Sequence, residues 1–191
     1  MNEKTKKIVG VGILTAIVVV LQVLAVALRP TGIFTISLVL IPIVVGAALY
    51  GYGAGAWLGL VFGIVVLIND AAPFLAINVP GTVATVLVKG ALAGLCAGLA
   101  YKALEKVNRY FAVIVAAIVC PVVNTGIFLI GCRLFFWSTL AEWAGAANAP
   151  SVPVYLITVL VGVNFLIEMG VNIVLSPVIV RIVNIGKKEI K

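Results

Sequence analysis

The sequence predicts an all-α integral membrane protein with six transmembrane helices and with both termini in the cytoplasm. Two observations are compositional: 64% of the 191 residues are hydrophobic and only 10% are charged, whereas soluble domains are nearer half apolar and a quarter charged. The third observation is the length of the apolar runs, which matches the roughly 20 residues that a helical span needs. The alternating pattern of a transmembrane barrel does not occur, so we expect helices to satisfy the backbone hydrogen bonds in lipid.

Charges, Gly/Pro clusters and polar runs divide the single predicted membrane domain, residues 1–191, into six spans. The spans cover residues 7–28, 34–50, 54–68, 80–104, 110–136 and 154–183. The first span has features of a signal peptide that ends at Ala25-Val26-Ala27. Its apolar run is longer than the roughly 7–15 residues of a signal-peptide core, which favours a retained span.

Polar and turn-forming residues set the other boundaries. Only Gly51-Tyr52-Gly53 separates the second span from the third, and glycine permits such a tight turn. The third span ends before Asn69-Asp70, and the fourth begins at Pro80. The polar stretch 105–109 precedes the fifth span, and the long loop 137–153 precedes the sixth.

The basic residues orient the predicted bundle in the membrane. Ten of the thirteen fall at one face: Lys4, Lys6, Lys7, Lys102, Lys106, Arg109, Arg181, Lys187, Lys188 and Lys191. The other face holds Arg29 with the acidic residues Asp70 and Glu142. The positive-inside rule then places both termini in the cytoplasm. Anionic membrane lipid is a sufficient partner for the net charge of +7, and no basic patch with exposed aromatic residues points to nucleic acid.

The outward loops are 29–33, 69–79 and 137–153, and they hold the candidate substrate contacts Asn78 and Trp137. Two interpretations of Trp137 and Trp143 stay open. The first is that they anchor the chain at the membrane interface, where tryptophan is enriched. The second is that they cover a cavity that opens to the outside.

Four polar side chains lie at a similar depth in three of the predicted spans. At 1.5 Å per residue, Lys89 lies ~13 Å below the outer end of the fourth span, and Asn124 lies ~17 Å below that of the fifth. Asn164 and Glu168 lie ~15 and ~21 Å below the outer end of the sixth. All four therefore lie in the middle third, or at its edge, of a core that is roughly 30 Å thick.

Helical spacing predicts which of these polar residues share a face. Thr82, Thr85 and Lys89 form one stripe that leads inward from the outer mouth, and Asn164 and Glu168 are one turn apart. Arg133 lies near the outer end of the fifth span, where it either lines the same cavity or extends to the interface. The run GALAGL that follows Lys89 predicts close helix packing below the cavity.

An ionisable side chain inside a membrane needs a partner or a water-filled cavity. One interpretation is a structural ion pair between Lys89 and Glu168 without any ligand. The other is a polar substrate pocket between the fourth, fifth and sixth spans. With Lys89, Arg133 and Glu168 ionised, the local charge is +1, which favours a substrate that carries a carboxylate or another anionic group.

Neither a metal, a cofactor nor a catalytic centre is expected. The chain has no histidine, the commonest metal ligand and general base. Cys96, Cys120 and Cys132 lie far apart in apolar runs, as packing residues do. Proteolysis or acyl transfer would need a Ser or Cys beside a base, so an enzyme is not predicted.

The first three spans differ from the others because they carry few polar side chains and many small ones. Gly12 and Ala16 are four residues apart, a spacing that lets another helix approach closely. This contrast predicts that one half of the chain docks a partner and that the other half binds a ligand.

Three stretches together resemble one family over essentially the whole chain: KKIVGVGILTAIVVVL, ISLVLIPIVVGAALYGYGAGAWLGLVFG and VLVKGALAGLCAGLAYKALEK. They are similar to the S components of energy-coupling factor (ECF) transporters, the substrate-binding subunits for vitamin uptake. The first stretch resembles the family's small-residue motif, usually Ala-xxx-Ala, with Gly12 in place of the first alanine.

The resemblance implies a multi-pass protein of a prokaryotic plasma membrane that binds a vitamin from outside with high affinity. Its implied partners are a transmembrane scaffold subunit, docked on the half with Gly12 and Ala16, and two cytoplasmic ATPases. The chain has no Walker motif, so it is not expected to hydrolyse ATP. Its lysine, arginine and asparagines would suit an acid such as pantothenate or folate.

A stand-alone secondary transporter is the alternative function, with Glu168 carrying a proton opposite Lys89. Many such carriers contain internal repeats, and this sequence shows no clear one. Uptake in cells without the ATPase partners would favour this alternative.

Overall fold

The structure is a computed structural model that describes residues 2–27 and 38–190. Every regular element in these two ranges is helical, as the sequence predicts. The helices are α1 (Glu3–Ala27), α2 (Leu40–Tyr50), α3 (Tyr52–Asn69), α4 (Ala72–Leu75), α5 (Val79–Leu104), α6 (Arg109–Phe135), α7 (Trp137–Ala146), α8 (Val152–Tyr155), α9 (Gly162–Val174) and α10 (Ser176–Ile190). A π-helical segment, Leu156–Val161, connects α8 to α9.

Four helices in the described ranges are long and apolar enough to cross a membrane: α1, α3, α5 and α6. A fifth candidate span consists of Val152–Val161 and Asn164–Val174, which are bent by 49° relative to each other. The predicted second span begins at residue 34, but residues 28–37, including Arg29, lie outside the described part of the chain. The 11 residues of α2 alone are too short to cross, so the count of six spans stays a prediction.

The predicted third, fourth and fifth spans agree with α3, α5 and α6 to within two residues at each end. The predicted sixth span differs, because the structure divides residues 154–183 among α8, the π-helical segment, α9 and α10. The last division separates α9 from α10. The division falls at Ser176-Pro177, where proline has no N–H to donate and disfavours a helical conformation in the residue before it. The Ser176 hydroxyl donates a hydrogen bond to the Ile173 carbonyl at 2.7 Å and so helps to close α9.

One end of the bundle collects the basic residues. Lys102, near the end of α5, lies 5.2 Å from the ring centroid of Tyr52 at the start of α3. Lys187 of α10 donates a hydrogen bond to Glu105, just after α5, and Lys7 of α1 lines a groove beside the start of α3. The basic helix ends therefore share one face, as predicted, and the assignment of that face to the cytoplasm stays a prediction.

Helix α2 lies in the core of the bundle. It packs against α1, α3, α5, α6 and α10, and Leu40, Ile43 and Val44 are fully buried. A helix that is apolar all round is suited to this enclosed position. Helix α1 is the opposite case, because only Val18, Gln22 and Ala25 are buried along its 25 residues.

Helices α3 and α5 are in contact at their backbones. A Cβ atom on Gly59 would lie 2.0 Å from the Gly90 carbonyl oxygen, and one on Gly94 would lie 1.9 Å from the Gly55 carbonyl oxygen. No side chain fits between these helices at these positions. The close packing predicted from GALAGL is therefore confirmed, and it fixes the position of α5, which carries Lys89 next to Gly90.

Candidate functional site

A cavity of about 480 Å³ lies between α3, α4, α5, α6 and the bent segment that includes α9. Its size is within the range of small-molecule sites, roughly 300–1,000 Å³. Six polar or charged residues line it: Asp70, Lys89, Asn124, Thr125, Asn164 and Glu168. Three aromatic side chains complete much of the wall: Phe74, Phe128 and Phe165. The structure thus brings together the four polar residues that depth alone placed near one another.

Lys89 lies ten residues from the start of α5, or ~15 Å along the helix axis. The side chain is half-buried, and its ammonium lies 5.4 Å from the Phe128 ring centroid and 5.7 Å from that of Phe62. A desolvated ammonium over an aromatic face gains about 2 kcal/mol or more. The two rings, together with the carboxylates in the same cavity, explain how the helix holds a lysine at this depth.

Asp70 is the site residue that the sequence analysis missed. It ends α3, and its backbone N–H donates to the Val66 carbonyl at 2.8 Å. The sequence pattern predicts that it lies in the outer loop 69–79. A signal was present, because Asp70 follows Gly63 by seven residues and therefore continues the glycine face of α3 that packs on α5. That face leads directly to the cavity.

Asn124 contributes an acceptor that has no partner in the described part of the chain. The residue is 7% exposed, and its Oδ1 atom is buried without a hydrogen bond. A buried acceptor in this state costs roughly 1–3 kcal/mol. The oxygen belongs to a residue that lines the cavity, and a ligand donor that reached it would recover this energy.

The bend between the π-helical segment and α9 supplies the wall opposite α5. Leu160 and Val161 line the cavity before the bend, and Asn164 and Glu168 line it after the bend. A Cβ on Gly162 would lie 1.9 Å from the Ile157 carbonyl oxygen, so the wide π turn depends on glycine here. Such turns are frequent at functional sites.

An aromatic cluster covers the cavity at the side of α4 and α7. The Phe74 ring makes edge-to-face contacts with Phe128, Phe136 and Trp143, at centroid distances of 5.6, 5.0 and 5.9 Å. This geometry is favourable for aromatic rings. Trp143 is thereby tied to a ring that lines the cavity, which favours its interpretation as part of a cover.

Two of the predicted site residues start helix α5 instead of lining the cavity. The Asn78 side chain accepts a hydrogen bond from the Gly81 N–H at 2.8 Å, as an N-cap does. The Thr82 hydroxyl donates to the Asn78 carbonyl, also at 2.8 Å. Both residues lie outside the described lining of the cavity.

Three more predicted residues lie outside that lining: Thr85, Arg133 and Trp137. Thr85 is buried against α6, where a Cβ on Gly131 would come within 2.3 Å of its methyl group. Arg133 is exposed, and its guanidinium lies 4.5 Å from the Trp137 ring centroid. Cation–π contact with Trp137 therefore holds Arg133 away from the cavity. Of the predicted stripe, Lys89 lines the cavity, whereas the short side chains of Thr82 and Thr85 are buried and lie outside the described lining.

The charge of the cavity differs from the sequence-based count. The earlier sum of +1 includes Arg133, which lies elsewhere, and omits Asp70, which lines the cavity. The described lining holds Asp70, Lys89 and Glu168, so its formal charge is −1 when all three are ionised. Among the described residues, no group of three or more Cys, Asp and Glu side chains is placed to hold a metal ion.

A second concave surface lies at the other end of the bundle, between α1 and α3. This groove, which we call the docking groove after the role predicted for Gly12, has a volume of about 640 Å³. It is lined by Lys7, Ile8, Val11, Gly12, Thr15, Gly53, Ala54 and Trp57. The Trp57 indole N–H donates to the Thr15 hydroxyl at 3.2 Å, and Gly12 has open space on its Cβ side. Gly12 and Ala16, the predicted docking residues, are both exposed.

The comparison with protein families identifies the family of this chain. The family described as "ECF transporter, substrate-specific component" matches residues 6–180. No curated protein and no solved structure matches the chain. Members of this family are subunits of transporters and not enzymes. Because the match covers nearly the whole chain, this multi-pass membrane protein belongs to the substrate-specific components of ECF transporters.

Proposed function

We propose that this subunit captures a vitamin-like small molecule, with high affinity, in the cavity around Lys89. The observation that carries the proposal is the convergence of polar groups from four helical segments on one cavity. Among them, Asn124 has a buried acceptor without a partner in the described residues. Polar groups at this depth are costly, and a bound ligand offsets part of that cost.

Uptake then depends on partners, because S components associate with a transmembrane scaffold and ATPase subunits. We place the scaffold on the docking groove and on the neighbouring face of α1. Ile8 is 72% exposed there and Ile13 is 58% exposed, and Gly12 leaves room for a helix to approach. Two ATPases on the cytoplasmic side of a prokaryotic plasma membrane would drive the import.

The sequence favours a carboxylate-bearing vitamin such as pantothenate or folate. Lys89 and the amides of Asn124 and Asn164 are the groups in the described lining that could receive a carboxylate. The carboxylates of Asp70 and Glu168 in the same lining weigh against that choice, because they would repel an anion.

The test is the thermal stability of the purified full chain in detergent, with and without each member of a vitamin panel. A ligand at 100 times its Kd stabilises a protein by about 2.7 kcal/mol. We expect Lys89→Ala and Asn124→Ala to lose most of this stabilisation. Arg133→Ala is the matched control, because it removes a cation outside the lining and should leave the shift unchanged.

Two outcomes would contradict the proposal. If Lys89→Ala lowers the stability of the free protein but leaves the ligand-induced shift intact, the lysine has only a structural role, such as pairing with Glu168. If cells that lack the scaffold and the ATPases take up the ligand through this chain, a proton-coupled secondary transporter is the better description.

A further inference from the structure

The charges around the cavity carry information about the ligand. The described lining holds the carboxylates of Asp70 and Glu168 and the ammonium of Lys89. No other lysine or arginine from the described ranges lines the cavity. Net charge in a low-dielectric site is costly unless an opposite charge compensates it. A ligand with one positive charge would bring the sum of the three side chains and the ligand to zero.

Hydrogen bonding points to the same kind of ligand. The Asn124 Oδ1 atom is buried and has no donor among the described residues. Carboxylates also act only as acceptors when they are ionised. These three acceptor groups are complementary to ligand groups that donate N–H or O–H hydrogen bonds.

The aromatic residues define the shape and add to the charge preference. Phe74, Phe128 and Phe165 line the cavity, and aromatic ring faces attract cations. The ammonium of Lys89, 5.4 Å from the Phe128 centroid, shows that a cation is already accommodated against one of these rings. A flat ligand can pack on the phenylalanines while its charge faces the carboxylates.

We propose that the cavity binds a small aromatic or heteroaromatic cation that carries at least one N–H or O–H donor. This inference rests on the proposed function, since it names the ligand class of the same cavity. It differs from the sequence-based expectation of an anionic vitamin, because Arg133 lies outside the described lining of the cavity and Asp70 lies within it.

The experiment compares compounds that share one ring and differ in charge. Pyridoxamine, pyridoxine and 4-pyridoxate carry an amine, an alcohol and a carboxylate at the same ring position. Thiamine and pantothenate extend the cationic and anionic arms. We expect affinities, measured from the thermal shift of the full chain, to be at least tenfold higher for pyridoxamine than for 4-pyridoxate, and higher for thiamine than for pantothenate.

Charge-removing variants test whether the cavity causes the preference. We expect Glu168→Gln and Asp70→Asn to reduce the ratio of cation to anion affinity by tenfold or more. Glu142→Gln is the matched control, since Glu142 lies on α7, exposed and outside the lining. Mass spectrometry of any molecule released from the purified protein gives an independent readout, with a nitrogen-bearing cation as the expected result.

The failures of the two proposals are distinguishable. Tighter binding of the carboxylates, or release of a carboxylic acid from the protein, would overturn the ligand class and leave the proposed function standing. A cation preference that Glu168→Gln and Asp70→Asn do not change would also overturn it. No thermal shift with any compound, together with no released molecule, would overturn both.

Discussion

Replacing Gly59 with alanine tests whether the backbone contact between α3 and α5 shapes the cavity. The added Cβ would lie 2.0 Å from the Gly90 carbonyl oxygen, whereas ordinary van der Waals contact begins at 3.4 Å. The two helices would have to separate by about 1.4 Å here, the difference between these distances. Overpacking of a well-packed core typically costs about 1–3 kcal/mol. The contact is backbone against backbone, so we expect the upper part of that range.

The same separation would move Asp70 on α3 away from Lys89 on α5, so we expect weaker ligand binding as well. Unfolding in mixed detergent and SDS, followed by tryptophan fluorescence, measures the stability, and the thermal shift measures the binding. Gly126→Ala on α6 is the control, because its Cβ would have nothing within 4 Å. It should be neutral or stabilise by about 0.4–1 kcal/mol. A Gly59→Ala protein within about 0.5 kcal/mol of the unaltered one would refute the reasoning.

Three further predictions concern the bend, the docking groove and the basic end of the bundle. Gly162→Ala would place a Cβ 1.9 Å from the Ile157 carbonyl oxygen, so we expect at least tenfold weaker ligand binding by thermal shift; unchanged binding would show that the π turn is dispensable. Gly12→Leu should fill the open groove and reduce co-purification with the scaffold subunit without lowering the melting temperature; undiminished co-purification would place the scaffold elsewhere. Burial lowers the pKa of Lys187, but its interactions with Glu105 and Tyr101 together outweigh burial, so the net pKa is raised. The pair therefore stabilises fully at neutral pH, by less than about 1 kcal/mol, and this contribution is lost only as pH rises through the raised pKa. Lys187→Met should remove that alkaline component from an unfolding curve measured against pH, and an unaltered alkaline limb would argue against the pair.

The helical class and the long spans could be predicted from the sequence because lipid leaves few alternatives. Apolar runs that cross lipid must form helices to satisfy their backbone hydrogen bonds, and the polar and turn-forming residues that end these runs give the bounds of α3, α5 and α6. The fixed rise of the helix then gives depth, and depth groups Lys89, Asn124, Asn164 and Glu168, which line one cavity in the structure. These inferences use only local geometry.

The rest of the site depends on which neighbour each helix face meets. Thr85 and Arg133 lie at plausible positions along their helices, yet one is buried in a helix contact and the other stacks on Trp137. Asp70 enters the site because glycines bring α3 close to α5, and the bend at Gly162 arises from one turn widening within an apolar run. A single sequence does not reveal such pairings between distant segments. For that reason the predicted formal charge of the cavity, +1, has the opposite sign to that of the described lining, −1.

The backbone contact between α3 and α5 also makes one wall of the cavity more rigid than the other. On that side two helices touch without intervening side chains, so this wall has little freedom to deform. The opposite wall contains a widened turn and a 49° break, with Ile157 60% and Leu166 63% exposed. We therefore expect ligand exchange to involve movement of the segment from α8 to α9, with Gly162 as the hinge. The wall formed by α3 and α5 would stay in place. Entry would then be gated from one side only.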